Sequence, residues 1–216
     1  MASDGAVLFD LDGVIVDSRE HHLSAWHRLA EERGLAHAPD YFTTVFGLRN
    51  DAILGGLLPD ITPDELQALA GRKEELFRHV ARGHVEALAG VTALLASLAE
   101  RGIASAIVTS TPRENLDLII DELGIRGRFQ TLVAEEDATK GKPDPEGFLV
   151  AAERLGAAPG RCVVIEDAPA GLRAARAGGM RSIGVTTTHP AAALSDAELV
   201  VASLADARVL TFITER

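Results

Sequence analysis

The chain has 216 residues, 47% of them hydrophobic and 25% charged, which suits an ordinary globular protein of one large or two smaller domains. A net charge of −11 argues against a general nucleic-acid surface, which would be basic. It leaves room for a small anionic substrate, because a metal and a few local cations can set the sign of one pocket.

The chain runs almost directly into the apolar stretch Ala6-Val7-Leu8-Phe9, so no signal peptide is expected. Nor does any apolar stretch approach the ~18 residues of a membrane span, and a cytoplasmic location follows as the expectation. The first run predicts a strand buried on both faces of a parallel sheet. It stops at Asp10-Leu11-Asp12-Gly13. Residues two apart in an extended segment point the same way, so Asp10 and Asp12 would share one small volume. Two carboxylates that close repel unless a cation or a proton intervenes, and magnesium, a hard oxygen-seeking ion, fits that need. Asp-Gly is also common hairpin punctuation. On this stretch alone a plain turn and a ligand site fit equally.

A long helical interval follows. Ser18 can cap a helix through Leu23, Trp26, Leu29 and Ala30 that ends near Gly34, with His21, His22 and His27 on it as packed or solvated residues. Phe42 to Gly47 reads as a connection and Asn50 to Leu58 as a short helix stopped by Pro59. Thr62-Pro63-Asp64-Glu65 carries an N-cap threonine, proline at the first position and glutamate three on from the cap. The apolar stripe Leu66, Leu69, Ala70, Leu76, Phe77, Val80 then runs at helical spacing, and Lys73 falls on it.

From Gly90 helices and strands alternate. A helix through Val91, Leu94, Leu95 and Leu98 stops at Gly102, and Ile103 to Val108 is a strand ending in Thr109-Ser110-Thr111-Pro112. A helix through Leu116, Ile119, Ile120 and Leu123 leads to a strand over Phe129 to Ala134. Lys140-Gly141-Lys142-Pro143-Asp144-Pro145 precedes a helix through Phe148, Ala151, Ala152 and Leu155. Cys162 to Ile165 is a strand ending in Glu166-Asp167. Its cysteine is the only one in the chain, which excludes an internal disulfide and reads as a small buried hydrophobe. A helix over Ala170 to Ala177, short strands near Ser182–Val185 and Glu198–Val201, and a terminal helix complete the pattern.

This alternation predicts an α/β fold with a doubly wound parallel sheet. The first strand belongs to that sheet, yet the next starts only at Ile103, whereas one crossover needs roughly 30 residues. An all-helical domain is therefore expected over residues 17–88, inserted into a core of 1–16 and 89–216. In a parallel sheet all strand ends face one edge, so Thr109-Ser110, Lys142 and Glu166-Asp167 can converge on Asp10 and Asp12. Singly each could be a cap or a loop cation; their joint appearance at strand ends is harder to explain that way. The set allows phosphoryl transfer through an aspartyl phosphate. Asp10 would be the nucleophile and Asp12 the acid/base, while Thr109, the Ser110 amide, Lys142 and magnesium held with Asp167 would neutralise the phosphoryl oxygens.

FDLDGV, IVTST, KGKPDP and VVIEDAPAGL, in that order, resemble the four motifs of the haloacid dehalogenase-like hydrolase superfamily. The chain is most similar to the branch with a helical cap after the first strand, which includes β-phosphoglucomutase and many sugar-phosphate phosphatases. The resemblance implies Asp10 as nucleophile and Asp12 as general acid/base whose carbonyl also ligates metal. It implies Thr109 and Lys142 as phosphate-binding residues, Asp167 as a metal ligand and Glu166 as a ligand or its partner. Val14 and the segment Asp17-Ser18-Arg19-Glu20-His21-His22 are similar to the mutase, where His22 matches a hinge histidine and Arg72-Lys73 a cap lysine site. Gly47-Leu48-Arg49-Asn50-Asp51 departs from the mutase's substrate loop, with Asn50 in place of arginine and Arg49 one position away.

The expected function is a magnesium-dependent phosphatase of a small phosphorylated metabolite, foremost a sugar phosphate, acting as a monomer or weak homo-oligomer without nucleic acid or membrane. The alternatives are a β-phosphoglucomutase-like phosphosugar mutase and, from another class, a non-catalytic phosphometabolite sensor on the same fold. Lys73 has two readings: a snorkelling lysine whose ammonium reaches water, or a cation that a closing cap presents to substrate with Arg49 and His22.

Overall fold

The computed structural model describes residues 5–45 and 49–215. Strand β1 (Ala6–Phe9) is followed by helices α1 (Arg19–Arg33), α2 (Tyr41–Thr44), α3 (Asn50–Leu57) and α4 (Pro63–Ala81). Then come α5 (Val91–Glu100), β2 (Ala104–Val108), α6 (Arg113–Glu122), β3 (Thr131–Val133) and α7 (Glu146–Leu155). The chain ends with β4 (Cys162–Glu166), α8 (Pro169–Ala177), β5 (Arg181–Val185), β6 (Leu199–Val201) and α9 (Ala207–Thr214). Two compact units result, residues 1–17 with 86–216 and residues 18–85.

In the first unit the six strands form one parallel sheet in the order β3-β2-β1-β4-β5-β6. The order reverses at β1, which pairs with β2 on one side and β4 on the other; such a switch point opens a crevice at the carboxyl ends of the strands. β1 is apolar throughout because both its faces are covered. Ala6 and Leu8 point to the side where Phe148, Ala151 and Ala152 of α7 and Ala174 and Ala175 of α8 close the core. Phe9 points the other way and meets Phe129 edge-on, ring centroids 5.9 Å apart. The points where the chain leaves and rejoins this unit lie side by side, since Val16 bridges Ala87 and the Leu88 amide donates to the Ile15 carbonyl at 2.9 Å.

The second unit is helical among its described residues, and its core is aromatic. Trp26 stacks on Phe42 at 5.4 Å, with Leu29, Leu54 and Phe77 fully buried. The stretch from Phe42, expected as a connection, begins inside α2, because burying Phe42 against Trp26 draws that turn into helix; Phe46, Gly47 and Leu48 lie outside the described residues. α4 starts as its sequence predicts. The Glu65 amide donates to Thr62 Oγ1, and the Thr62 amide donates back to Glu65 Oε2 at 3.1 Å. Ser18 sits at the N-cap of α1 without a side-chain capping bond, its ψ of 1° lying far from the extended cap geometry.

Gly90, which caps α5, shows how tightly the returning chain is held. Its φ is +91°, and a Cβ there would lie 2.1 Å from the Ala205 amide nitrogen, while Ser203 Oγ donates to the adjacent Ala89 carbonyl at 3.0 Å. Gly102 has a similar φ of +65° but open space around it. Gly102→Ala should therefore cost about 1–2 kcal/mol of left-handed strain. Gly90→Ala, which adds a backbone collision, should cost more than about 4 kcal/mol in urea denaturation. Equal losses would contradict this packing.

Candidate active site

The site begins where β1 ends. The Asp10 amide donates to the Ile165 carbonyl at 3.0 Å, extending the ladder with β4 by one residue and fixing the Asp10 backbone beside Glu166. The chain then turns tightly: the amides of Ile15 and Val16 both donate to the Leu11 carbonyl, at 2.9 and 3.1 Å, and Gly13 to Val16 at 2.7 Å. Leu11, Val14, Ile15 and Val16 are all buried, so this segment is a compact loop and not the return strand of a hairpin.

Lys142, from the loop between β3 and α7, supplies the cation. Its Nζ lies 2.5 Å from Asp10 Oδ1, 2.5 Å from Glu166 Oε1 and 3.3 Å from the Val108 carbonyl, above the ring of Phe148. The other oxygen of Glu166 accepts from the Asp167 and Ala168 amides, both at 3.1 Å, where the chain enters α8. Room for this carboxylate exists only because residue 171 is glycine; a Cβ there would sit 1.8 Å from Glu166 Oε1.

Asp10, Glu166 and Asp167 are all buried and can each offer an oxygen within 4.8 Å of the others. Fully ionised, three carboxylates against one ammonium would leave two uncompensated negative charges. Burial pushes the Asp10 carboxyl well up, with Glu166, Asp167 and Asp12 adding to it and Lys142 opposing. Burial likewise raises Asp167, to about 7, helped by the Glu166 charge and opposed by Thr188 and Lys142. Burial pulls on Lys142 in the other direction, but Asp10 and Glu166 outweigh it and keep the ammonium protonated. This donor set fits a hard divalent cation, which prefers carboxylate oxygens and would balance the excess charge.

Of the residues singled out from the sequence, Asp10, Lys142, Glu166 and Asp167 form one cluster. The Asp12 carboxylate lies outside the metal-competent group and instead takes a hydrogen bond from Thr111 Oγ1 at 2.5 Å. Thr109 is buried one residue beyond β2, its amide bonded to the Val133 carbonyl and its hydroxyl accepting from the Thr111 amide at 3.1 Å. Ser110 beside it is exposed. Sequence reasoning passed over Thr111, Gly171, Thr188 and His189. The run Thr109-Ser110-Thr111 carried a signal for the first of these, but only the fold shows which hydroxyl meets which carboxylate.

The helical unit carries the remaining three. Lys73 does not snorkel; it is 2% exposed, with Nζ 2.7 Å from His22 Nδ1 and 2.9 Å from Glu74 Oε1, close to the rings of Trp26 and Phe77. An ammonium has no lone pair, so His22 Nδ1 accepts and the ring's proton sits on Nε2. Burial works against the Glu74 charge, but Lys73 and the Asn50 hydrogen bond hold its carboxyl below the usual range. Asn50 Nδ2 donates to Glu74 Oε1 at 2.7 Å. Arg49 is exposed and pairs with Asp51 at 3.5 Å.

The raised carboxyl of Asp167 has a consequence for stability. Its folded pKa lies above the unfolded value, so without a cation the fold holds this proton more tightly than the unfolded chain does. That contribution is present in full below about 4 and is lost as pH rises towards 7. A divalent cation needs the ionised form, so its stabilising effect should run the opposite way. The rise in Tm on adding MgCl2 should be small near pH 5, grow with pH and level off above about 7. A rise that is the same from pH 5 to 8 would contradict the assignment.

Comparison with known proteins agrees with this architecture. The family model described as haloacid dehalogenase-like hydrolase matches residues 7–185. The chain is similar to validoxylamine A 7'-phosphate phosphatase of Streptomyces hygroscopicus subsp. limoneus, 31% identical over 93% of this chain and 94% of that protein. It is 34% identical to β-phosphoglucomutase of Bacillus subtilis, over 93% and 90%. It is also 32% identical over 94% of its length to the chloroplastic 5-amino-6-(5-phospho-D-ribitylamino)uracil phosphatase of Arabidopsis thaliana, of which it spans about half, 55%. Among solved structures, β-phosphoglucomutase from Clostridium difficile superposes with a TM-score of 0.83 at 27% identity, covering 96% of this chain and 94% of that one. With a family model spanning most of its length and relatives aligned nearly end to end, the chain belongs to the haloacid dehalogenase-like hydrolase family.

Proposed function

We propose that this phosphohydrolase is a magnesium-dependent phosphatase of a small phosphorylated metabolite, foremost a sugar phosphate, working through an aspartyl phosphate on Asp10. The observation that carries the reading is the buried Asp10–Lys142–Glu166 ion network beside Asp167, at the switch point of the sheet.

Asp10 supplies the attacking oxygen, and the Lys142 ammonium beside it meets the negative charge of the incoming phosphoryl group. The Thr109 hydroxyl and the Ser110 amide bind phosphoryl oxygens. Asp12 protonates the departing oxygen and afterwards takes a proton from the water that attacks the phosphoaspartate. Asp10, Asp167, Glu166 and the Asp12 carbonyl are the residues to hold magnesium, which when bound lowers the repulsion between carboxylate and phosphate. Glu166 also fixes Lys142, so the cation keeps a partner whenever Asp10 carries the phosphoryl group.

In the helical unit we assign substrate contacts to His22, Lys73 and Arg49. The charge of Lys73 meets Glu74, and that of Arg49 meets Asp51. Cations already paired in this way support a phosphatase over a mutase, which has to bind the second phosphate of a bisphosphorylated intermediate. The relatives include both kinds of enzyme, so a β-phosphoglucomutase-like mutase is the second reading. The intact Asp10 and Lys142 pair weighs against a sensor without catalysis.

Phosphorus NMR on hexose 1-phosphates and a panel of other phosphorylated metabolites, with and without a bisphosphate primer, separates the readings. Inorganic phosphate should be the product in either case, and Asp10→Asn should lower its release on the order of 10⁴-fold, as loss of a catalytic group does. Accumulation of a hexose 6-phosphate with little free phosphate would replace the phosphatase by the mutase.

A further inference from the structure

We propose that Thr188, backed by His189, is a positioning residue that sets the Asp167 carboxylate for a divalent cation; the proposal rests on the metal-dependent reading above. Thr188 lies in the loop after β5, past the last ladder bond of that edge, where the Thr186 amide donates to the Val201 carbonyl at 3.0 Å. Its hydroxyl donates to Asp167 Oδ2 and stands 3.4 Å from the Asp167 carbonyl oxygen.

Counting protons fixes the rest of this small network. A threonine has one hydroxyl hydrogen, and the carboxylate takes it. His189 Nδ1 lies 3.1 Å from the Asp167 carbonyl, which can only accept, and 2.9 Å from Thr188 Oγ1. His189 therefore carries its proton on Nδ1 and shares it between the carbonyl and the threonine oxygen. Asp167 is thereby tied at backbone and side chain by two consecutive residues of another strand's loop.

The contact extends to the first motif. A Cβ on Gly13 would lie 2.1 Å from Asp167 Oδ2 and 3.1 Å from Thr188 Cγ2, so the Gly13 turn, the carboxylate and the threonine methyl are in mutual contact. With Oδ2 hydrogen-bonded on one side and confined on the other, the carboxylate cannot rotate about its own axis without losing a bond. Partners of this kind orient metal-binding carboxylates, and their removal typically costs 10–100-fold in metal affinity.

The test is thermal unfolding during titration with MgCl2, reading the concentration at which half the rise in Tm is reached. Thr188→Val keeps the shape and removes the hydroxyl, and should move that midpoint upward by about 10-fold. Thr188→Ser keeps the hydroxyl and should stay near wild type. Thr188→Ala is measured alongside as a second variant without the hydroxyl, with the same shift expected. A purely structural role would lower the Tm in EDTA and leave the midpoint where it is. Asp167→Asn is the control for the metal site itself. If it raises the midpoint while Thr188→Val and Thr188→Ala leave it unchanged, positioning by Thr188 is overturned and the metal reading stands. If wild type gives no MgCl2-dependent rise, or Asp167→Asn keeps the wild-type midpoint, the metal reading falls and this proposal with it.

Discussion

The site depends on one ammonium group held between two buried carboxylates. Lys142 reaches Asp10 and Glu166 at 2.5 Å each, from a loop that shares no strand with either. Burying carboxylates this deeply is unfavourable unless they are paired and hydrogen-bonded. The structure meets that demand with Lys142 on one oxygen of Glu166 and two backbone amides on the other. The demand then propagates outward. The Asp167 and Ala168 amides are available because the chain turns there into α8, and the Glu166 carboxylate fits because Gly171 lacks a side chain. The ends of β1 and β4, the loop before α7 and the first turn of α8 are in this sense one electrostatic unit.

Compensation of charge inside the cluster is incomplete, and that excess is its chemical content. A fully neutralised network would be a structural ion pair. Here the carboxyls of Asp10 and Asp167 are both driven upward by burial and by their neighbours, so the group has capacity for another cation. The hydroxyls of Thr111 and Thr188 meanwhile restrain two carboxylates, Asp12 and Asp167, from separate loops. The buried cluster of the helical unit is of a different kind: Lys73, Glu74, His22 and Asn50 satisfy one another.

Much of this was legible in the sequence, for identifiable reasons. Apolar runs that end in acidic or hydroxyl residues mark parallel strands and their functional edge together, which is why Asp10, Thr109 and Glu166-Asp167 stood out without coordinates. The gap between the first and second strands exposed the helical insertion. Elements whose signal is tertiary escaped. The turn of α2 forms because Phe42 stacks on Trp26, and a four-residue helix has no periodicity to detect. Lys73 on an apolar stripe fits a snorkelling lysine, and only the fold shows its ammonium buried against Glu74 and His22. Thr188 ends a run of three threonines after β5, with His189 next to it, and nothing local says which hydroxyl turns inward.

The central claim is that the buried carboxylate beside Lys142 forms the covalent intermediate. Acid-quenched enzyme, taken during turnover of a phosphorylated substrate and reduced with borohydride, should yield homoserine at the residue that had been phosphorylated, located by peptide mass spectrometry. The account predicts homoserine at Asp10 and at no other carboxylate. Conversion at another residue, or none in enzyme that is releasing phosphate, would contradict it.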